Sequence, residues 1–502
     1  MSFRNILLIG VDQMRSDVAG PGKTVPAQTP ALDALYADSA SFTRAYSTCP
    51  LCSPARASMF TGDYAFRHGM GTNCDMYHSL ATELHDPSRL LHHVFREAGY
   101  RTGFIGKWHV GTKKGPGAFG FEGMDLAGYG SVTQTPEFQA YLASAGLKYS
   151  VRPTVFLNPD QQTMLAGDWL GSVASTPSYY LTERTIALLS DYAERDEPFF
   201  ATVQYWDPHQ PHLVAHEYRG VTDRSAIEAW PNFADDLMAK PRRVSRERDD
   251  FYRLHPRTEA ELIAYIGHYC DHMAMLDAQI GRLLDWLDTS GLADGTLVVF
   301  TSDHGDMTGA HGGLIDKGLL YEEAIKIPLL LRHRSIASGP RSQLVSNMDI
   351  LPTALDLLGM KCPDRHGVSV KPSLEQPESE GRQALLVEYH GLRFLYSQRA
   401  MIFEGGEKFI FTPGDDDELY DLNADPAELH NLADDPAAAE TLQACRLAMI
   451  AETARLDDPL RDCVAKFNGQ WRTGSGQFDA TAAFDKESAH ERGTRPGKPG
   501  ED

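Results

Sequence analysis

Cys52, Pro54 and Arg56 stand at alternate positions of the stretch Leu51-Cys52-Ser53-Pro54-Ala55-Arg56-Ala57-Ser58-Met59-Phe60-Thr61-Gly62, which reads as a short helix closed by glycine. Pro54 suits a first helical turn, where its missing N–H would have no partner in any case. Cys52 then lies at the helix N-terminus, where backbone N–H groups and the helix dipole favour an anion. Arg56, one turn further on, points back at the same spot. These residue types alone leave open a thiol of lowered pKa and a plainly buried cysteine at a helix start.

Further groups with chemical capacity fall at the ends of apolar runs. Asn5 to Val11 reads as a buried strand and is followed by Asp12-Gln13. Thr296 to Ser302 reads as another, followed by Asp303-His304-Gly305-Asp306. In open parallel sheets ligands collect at the carboxyl ends of strands, so two acidic strand ends can converge on one divalent cation. Gly106-Lys107-Trp108-His109 follows the strand Arg101 to Gly106 and sets a cation and an imidazole two residues apart, on one side of an extended segment. Trp206-Asp207-Pro208-His209-Gln210-Pro211 follows the strand Pro198 to Tyr205, with prolines stiffening the loop around His209, and Asp316-Lys317-Gly318 adds a lysine.

The elements that must position these groups alternate between buried strands and helical patterns, which predicts α/β architecture with a mainly parallel sheet. Thr29 to Ala40 and Ser88 to Ala98 read as helices, and Glu259 to Leu287 as one long packed helix or two. Lys326 to Arg332 reads as a further strand. Residues 145–258 are less regular, with Pro, Gly and Trp scattered through loops. Ala384 to Tyr389, Ala400 to Glu404 and Glu407 to Thr412 read as short strands of a small antiparallel subdomain. The division expected is a catalytic domain over 1–375, a subdomain over 376–470 and an extended tail over 471–502, which could wrap a neighbouring subunit in a dimer or tetramer.

Composition narrows the partners. With 47 basic and 69 acidic residues the net charge is −22, which argues against nucleic acid or an acidic membrane surface. A small anionic substrate remains compatible if cations are gathered locally. Seven irregularly spaced cysteines suit reduced thiols in the cytosol better than a disulfide scaffold, and Cys49-Pro50-Leu51-Cys52 is the sole CxxC. The start of the chain has no signal-peptide pattern, and no apolar run approaches the ~20 residues of a membrane span. The expectation is a soluble cytoplasmic protein. His268 and His272, four apart on the long helix, lack the glutamate of a zinc motif and read as packing. Glu388 is a candidate binder of a cationic substrate group.

Taken in order, VDQ, CSPARASMFTG, GKWHVG, PHQP, TSDHGD and IDKG resemble a sulfatase of the alkaline phosphatase superfamily, and Glu418 to Ala433 resembles that family's C-terminal subdomain. The resemblance spans about residues 4–435. It implies an alkaline-phosphatase-like, mostly parallel central sheet flanked by helices, with a smaller C-terminal α+β subdomain. It implies that Cys52 is oxidised to Cα-formylglycine by the formylglycine-generating enzyme. Asp12, Gln13, Asp303 and His304 would be metal ligands, with the modified Cys52 completing the shell. Arg56 would orient and stabilise the formylglycine, and Lys107, His109, His209 and Lys317 would surround the sulfate. Asn73 matches an active-site asparagine of the formylglycine phosphonate monoester hydrolases and choline sulfatases. The reaction implied is hydrolysis of an aryl or alkyl sulfate through a covalent sulfated intermediate, with His109 as base and His209 or Lys317 protonating the leaving alcohol.

Two departures qualify the match. Gln13 and His304 replace carboxylate and amide oxygens common in sulfatases, as in the phosphonate monoester hydrolase and choline sulfatase branches, so Mn²⁺ stands beside Ca²⁺ as the expected ion. Lys107 and His109 are the sulfatase choice. A phosphonate monoester or phosphodiester hydrolase is therefore the same-site alternative. A non-catalytic anion- or metal-binding protein with unmodified Cys52 is the alternative from another class.

Overall fold

The computed structural model describes residues 3–156, 163–251, 258–393 and 395–470. The tail expected over 471–502 lies outside these described residues. The strands are β1 (Asn5–Asp12), β2 (Ala40–Tyr46), β3 (Arg101–Gly106), β4 (Glu122–Gly123), β5 (Val151–Phe156), β6 (Met164–Trp169), β7 (Phe199–Pro208), β8 (His212–Ala215), β9 (Thr296–Ser302), β10 (Leu329–Arg332), β11 (Gly339–Ser346), β12 (Ala384–Tyr389), β13 (Gln398–Phe403), β14 (Glu407–Phe411) and β15 (Glu418–Asp421). Eight form one sheet in the order β11-β2-β10-β9-β1-β7-β3-β4, and β12 to β15 form an antiparallel sheet in sequence order. In the large sheet β1 pairs parallel with β7 and β9, and β10 alone runs antiparallel to its neighbours β9 and β2.

Strand β1 is buried along its whole length, as a central parallel strand covered on both faces must be. Its side chains alternate between two cores. Leu7, Ile9 and Val11 pack with the long helix Glu259–Thr289, while Ile6 and Leu8 pack with Ala57, Met59 and Phe60 of the helix Cys52–Thr61. The long helix is single and opens on a capping box, in which Thr258 and Glu261 satisfy each other's backbone N–H groups. The site helix Cys52–Thr61 is buried on every side and ends on Gly62 at φ 75°, whose N–H closes on Ser58 O at 2.8 Å.

Several expectations are corrected. The helix from Thr29 stops at Ala37 because Ala40 already begins β2, and the helix expected over Ser88 to Ala98 is a short turn, Pro87–Arg89, followed by the helix His92–Glu97. The strand expected from Lys326 begins at Leu329, because Lys326 makes only an isolated bridge to Tyr46. The described residues within 145–258 are more regular than expected: they hold a three-stranded sheet β5-β6-β8 and the helix Pro177–Glu194, capped by the Thr176 side chain. No helix among the described residues is long and apolar enough to cross a membrane.

Apolar side chains of the small sheet are continuous with the Leu7 core, and the helix Ala439–Arg455 contributes Leu442, Cys445 and Met449 to it. A fully buried ion pair secures this region: Arg399 Nε and Nη2 donate to the Asp458 carboxylate at 2.6 and 2.9 Å. Because the guanidinium would be left buried without its counter-ion, Asp458→Ala is expected to destabilise the chain by about 3–5 kcal/mol. The denaturant midpoint against wild type measures this, and a loss below about 1 kcal/mol would contradict the pair's assigned weight.

Candidate active site

The carboxyl ends of β1, β3, β7 and β9 lie side by side in the sheet, and each delivers a polar side chain to one point. Asp12 ends β1, and Gln13 leaves it in the left-handed region at φ 66°. The Gln13 N–H and the His304 N–H both donate to Asp303 Oδ1, at 3.0 and 2.9 Å, so the two acidic strand ends are locked together. After β3, Gly106 takes φ 106°, a conformation that favours glycine, and a Cβ there would lie 2.0 Å from Gln204 O. The expected extended segment is therefore bent, and it bends again at His109, φ 54°, whose N–H donates to Gly128 O at 3.1 Å. Trp108 is fully buried among Phe60, Phe104 and Phe119, and this anchor leaves its neighbours Lys107 and His109 to the pocket.

Cys52 is the first residue of its helix, and Leu51 offers no side-chain cap. Asn73 supplies one from another segment: its Oδ1 accepts from Ser53 N at 3.0 Å, and its Nδ2 makes no hydrogen bond within the described residues. Cys52 Sγ lies 3.3 Å from His304 Nε2 and 3.7 Å from Asp12 Oδ1. Arg56 is wholly buried beneath: Nε donates to Asp303 Oδ2 at 2.9 Å, and Nη1 to Lys107 O and Gln204 Oε1 at 2.9 and 3.1 Å. Lys107 Nζ donates to Asp12 Oδ2 and sits 4.0 Å from the Tyr129 ring centre. Lys317 Nζ donates to Gln13 Oε1 at 2.7 Å and to His209 Nε2 at 2.6 Å. Every residue expected in the site thus converges, with His109 tied to Asp75 at 3.1 Å.

The electrostatics favour an anion at position 52. Burial alone would raise the Cys52 thiol, but Lys107, Lys317 and His304 outweigh it and hold it well below its ordinary value. Burial likewise opposes ionisation of Asp12, yet Lys107, His209 and Arg56 keep it below the usual carboxylate range. Burial also works against the His109 imidazolium, but hydrogen bonds to Asp75 and to the Cys52 sulfur, a partner that conversion of Cys52 would remove, raise that group above its ordinary value.

A divalent cation fits these residues. One donor atom from each of Asp12, Cys52, Asp303 and His304 lies within 4.8 Å of the others, and all four residues are buried. His304 Nδ1 lies 2.9 Å from Gly305 O, the contact of an Nδ1–H donor, which leaves the Nε2 lone pair directed at the cluster. The Gln13 amide is oriented by Nε2–H bonds to Asp306 Oδ2, at 2.7 Å, and to Gln210 Oε1. Two carboxylates and an imidazole make this cluster a mainly hard donor set, with the Cys52 sulfur its one soft member.

Sequence reading left several partners unassigned. Asp75, Tyr129 and Gln204 meet the site only through tertiary folding. Asp306, whose carboxyl burial pushes up to about 6, lies inside the quoted TSDHGD stretch. Other residues do less than was weighed for them. Glu388 is wholly buried and accepts from Ala65 N and from His390 Nε2, the latter at 2.9 Å. His268 and His272 engage different partners, Thr154 and Asp207. Cys49 is buried, and no disulfide joins any two cysteines among the described residues.

Fold and site together define an α/β protein that gathers buried cationic and candidate metal-ligating side chains at the carboxyl ends of one sheet. The sulfatase family profile matches residues 4–360, and the profile described as N-sulphoglucosamine sulphohydrolase, C-terminal, matches 309–454. The chain belongs to the sulfatase family, within the alkaline phosphatase superfamily. It is 30% identical over 461 residues to a choline-sulfatase of Rhizobium meliloti, covering 86% of this chain and 83% of that protein. It is 28% identical over 489 residues to the uncharacterized sulfatase YidJ of Escherichia coli, covering 92% and 89%. A phosphonate monoester hydrolase from Silicibacter pomeroyi has the same fold, with a TM-score of 0.76 at 23% identity, over 91% of this chain and 96% of that one.

Proposed function

We propose that the chain hydrolyses sulfate monoesters, with Cys52 as the precursor of a formylglycine nucleophile and Asp12, Gln13, Asp303 and His304 as ligands of one divalent cation. The observation that carries this reading is the convergence of Lys107, Lys317, His109, His209 and Arg56 on Cys52 at a helix N-terminus, inside a chain of net charge −22. Cations concentrated at one point of an acidic protein are what a small dianionic or monoanionic ester requires. Formylglycine and the cation supply, when present, an activated oxygen nucleophile and Lewis-acid polarisation.

The chain's own residues account for the rest. Lys107 and Lys317, fixed in advance by Asp12 and Gln13, face the charge that builds on the sulfuryl oxygens. Lys317, which donates to His209 Nε2, or His209 once protonated at that nitrogen, gives a proton to the departing alcohol oxygen. His109 takes the proton lost at position 52. Arg56 fixes the Asp303 carboxylate, and Asn73 Nδ2 is available to a substrate oxygen. Maturation by a formylglycine-generating enzyme, a cytoplasmic setting, assembly as a homodimer or homotetramer, and a domain division near residue 375 accompany this reading.

Gln13 and His304 favour a second reading at the same site, a phosphonate monoester or phosphodiester hydrolase, because they lower the negative charge around the cation relative to paired aspartates. The test has two parts. Peptide mass spectrometry over Cys52, on protein made with the maturation enzyme, is expected to find the aldehyde in place of the thiol. Comparison of kcat/KM for an aryl sulfate and an aryl phosphonate monoester then ranks the two readings, and a sulfate value below the phosphonate value would overturn the first. An unconverted thiol, under conditions that mature a control sulfatase, would favour a non-catalytic anion-binding protein.

A further inference from the structure

We infer that Asp75 is a positioning residue for His109, holding the imidazole by Nε2 so that Nδ1 faces position 52 with its lone pair; this rests on the sulfatase reading above. Asp75 Oδ1 lies 3.1 Å from His109 Nε2, and His109 is 1% exposed. His109 Nδ1 is buried, has no nitrogen or oxygen partner among the described residues, and faces the Cys52 sulfur. A carboxylate on one ring nitrogen fixes that nitrogen as the N–H donor and leaves the other as the acceptor.

The segment carrying Asp75 is pinned on both sides. Asn73 Oδ1 accepts from Ser53 N at 3.0 Å, and Cys74 N donates to Ser53 Oγ at 3.1 Å, which ties the segment to the start of the Cys52 helix. Cys74 Sγ reaches His109 O at 3.7 Å, and Asp75 holds the His109 ring. Three consecutive residues therefore set the distance between His109 Nδ1 and position 52. The backbone at His109 adds to the case, since φ 54° is unfavourable for a non-glycine residue and persists only where the surroundings enforce it. In the step served, the O–H bond of a hydroxyl at position 52 breaks, its electron pair stays on that oxygen, and its proton forms the N–H bond at Nδ1. The ring already carries Nε2–H, so an imidazolium forms beside the Asp75 carboxylate and no other reactant is needed.

The experiment compares Asp75→Ala and Asp75→Asn with wild type, after mass spectrometry has matched their conversion at Cys52. With an aryl sulfate, the alanine variant is expected to lose about 10- to 100-fold in kcat with KM within about twofold. Asparagine, whose Oδ1 still accepts from Nε2–H, is expected to recover most of that loss. An unchanged kcat in Asp75→Ala overturns the inference. So does a rise in KM alone, which would make Asp75 a direct ligand of a cationic substrate group. A second arm uses unconverted, ¹⁵N-histidine-labelled protein, with the His109 ring signals identified by their loss in His109→Gln. These signals are expected to change in Asp75→Ala and to be kept in Asp75→Asn; identical spectra for wild type and alanine variant overturn the inference. Should wild type hydrolyse no sulfate ester, the sulfatase reading fails on its own and this second arm still decides the role of Asp75.

Discussion

Cys52→Ala is expected to reduce turnover below about 10⁻⁴ of wild type while leaving the fold intact. The loss follows from position 52 being the point on which every cation of the site converges: His304 Nε2 is 3.3 Å from its sulfur, and Lys107, Lys317 and Arg56 surround it. Without a nucleophile there, the remaining groups hold an ester but have nothing to transfer its sulfuryl group to. The fold survives because the helix does not depend on the thiol. Ala55 N still closes on Leu51 O at 3.0 Å, Asn73 still caps Ser53, and Gly62 still ends the last turn. A sulfur replaced by hydrogen leaves a small gap, so the thermal midpoint is expected to move by less than about 4 °C. Cys52→Ser separates nucleophile from aldehyde. Its single hydroxyl can accept the sulfuryl group but has no second hydroxyl to expel it, so a burst of at most one product per chain is expected. Steady turnover by either variant, in protein free of wild type, would remove formylglycine from the mechanism.

The site was legible because its residues are clustered at strand ends and a helix start, where local sequence marks the place. Asp12 and Asp303 follow continuous apolar runs, and those runs are strands buried on both faces, the pattern that gives β3 and β9 the bounds expected for them. Asp75 and Tyr129 left no such mark. A lone aspartate or tyrosine in a loop has neither period nor spacing, and only the fold brings them to His109 and Lys107. Gln204 did leave a signal: a glutamine within the apolar run Phe199 to Tyr205 must find a partner when buried, and its partner is Arg56. Strand β2 went unread because Ser41, Thr43 and Arg44 interrupt its apolar pattern, near the outer side of the sheet where only β11 lies beyond it. The helix Pro177–Glu194 went unread because it buries one face alone, and its sequence mixes Ser, Thr and Tyr with aliphatic residues.

Removing Asp303 is expected to cost both the metal and the rate, and for separable reasons. Its Oδ2 holds Arg56 at 2.9 Å, while its Oδ1 takes the N–H groups of Gln13 and His304. Neither Arg56 nor Asp303 is exposed, and Arg56's other carboxylate, Asp12, is 3.8 Å away. Asp303→Ala therefore leaves a buried guanidinium largely uncompensated and three donors without acceptors, an expected destabilisation of about 3–5 kcal/mol. Loss of activity in that variant alone would not distinguish a ligand from a structural counter-ion. Asp303→Asn does distinguish them. Its Oδ1 can still accept from Gln13 and His304, so the strand ends stay locked, while the charge that pairs with Arg56 and would attract a cation is gone, and metal content rather than rate then tells a ligand from a counter-ion. Burial and the neighbouring Asp12 already push the Asp303 carboxyl upward, so an ionised Asp303 is favoured most when a cation is bound beside it. The asparagine variant is thus expected to keep a thermal midpoint nearer wild type than alanine does, yet to lose bound metal and at least about 10²-fold in kcat. Metal per chain, measured after gel filtration beside kcat, checks both expectations. Undiminished metal in folded Asp303→Asn would remove Asp303 from the ligand set and leave its bond to Arg56 as its whole contribution.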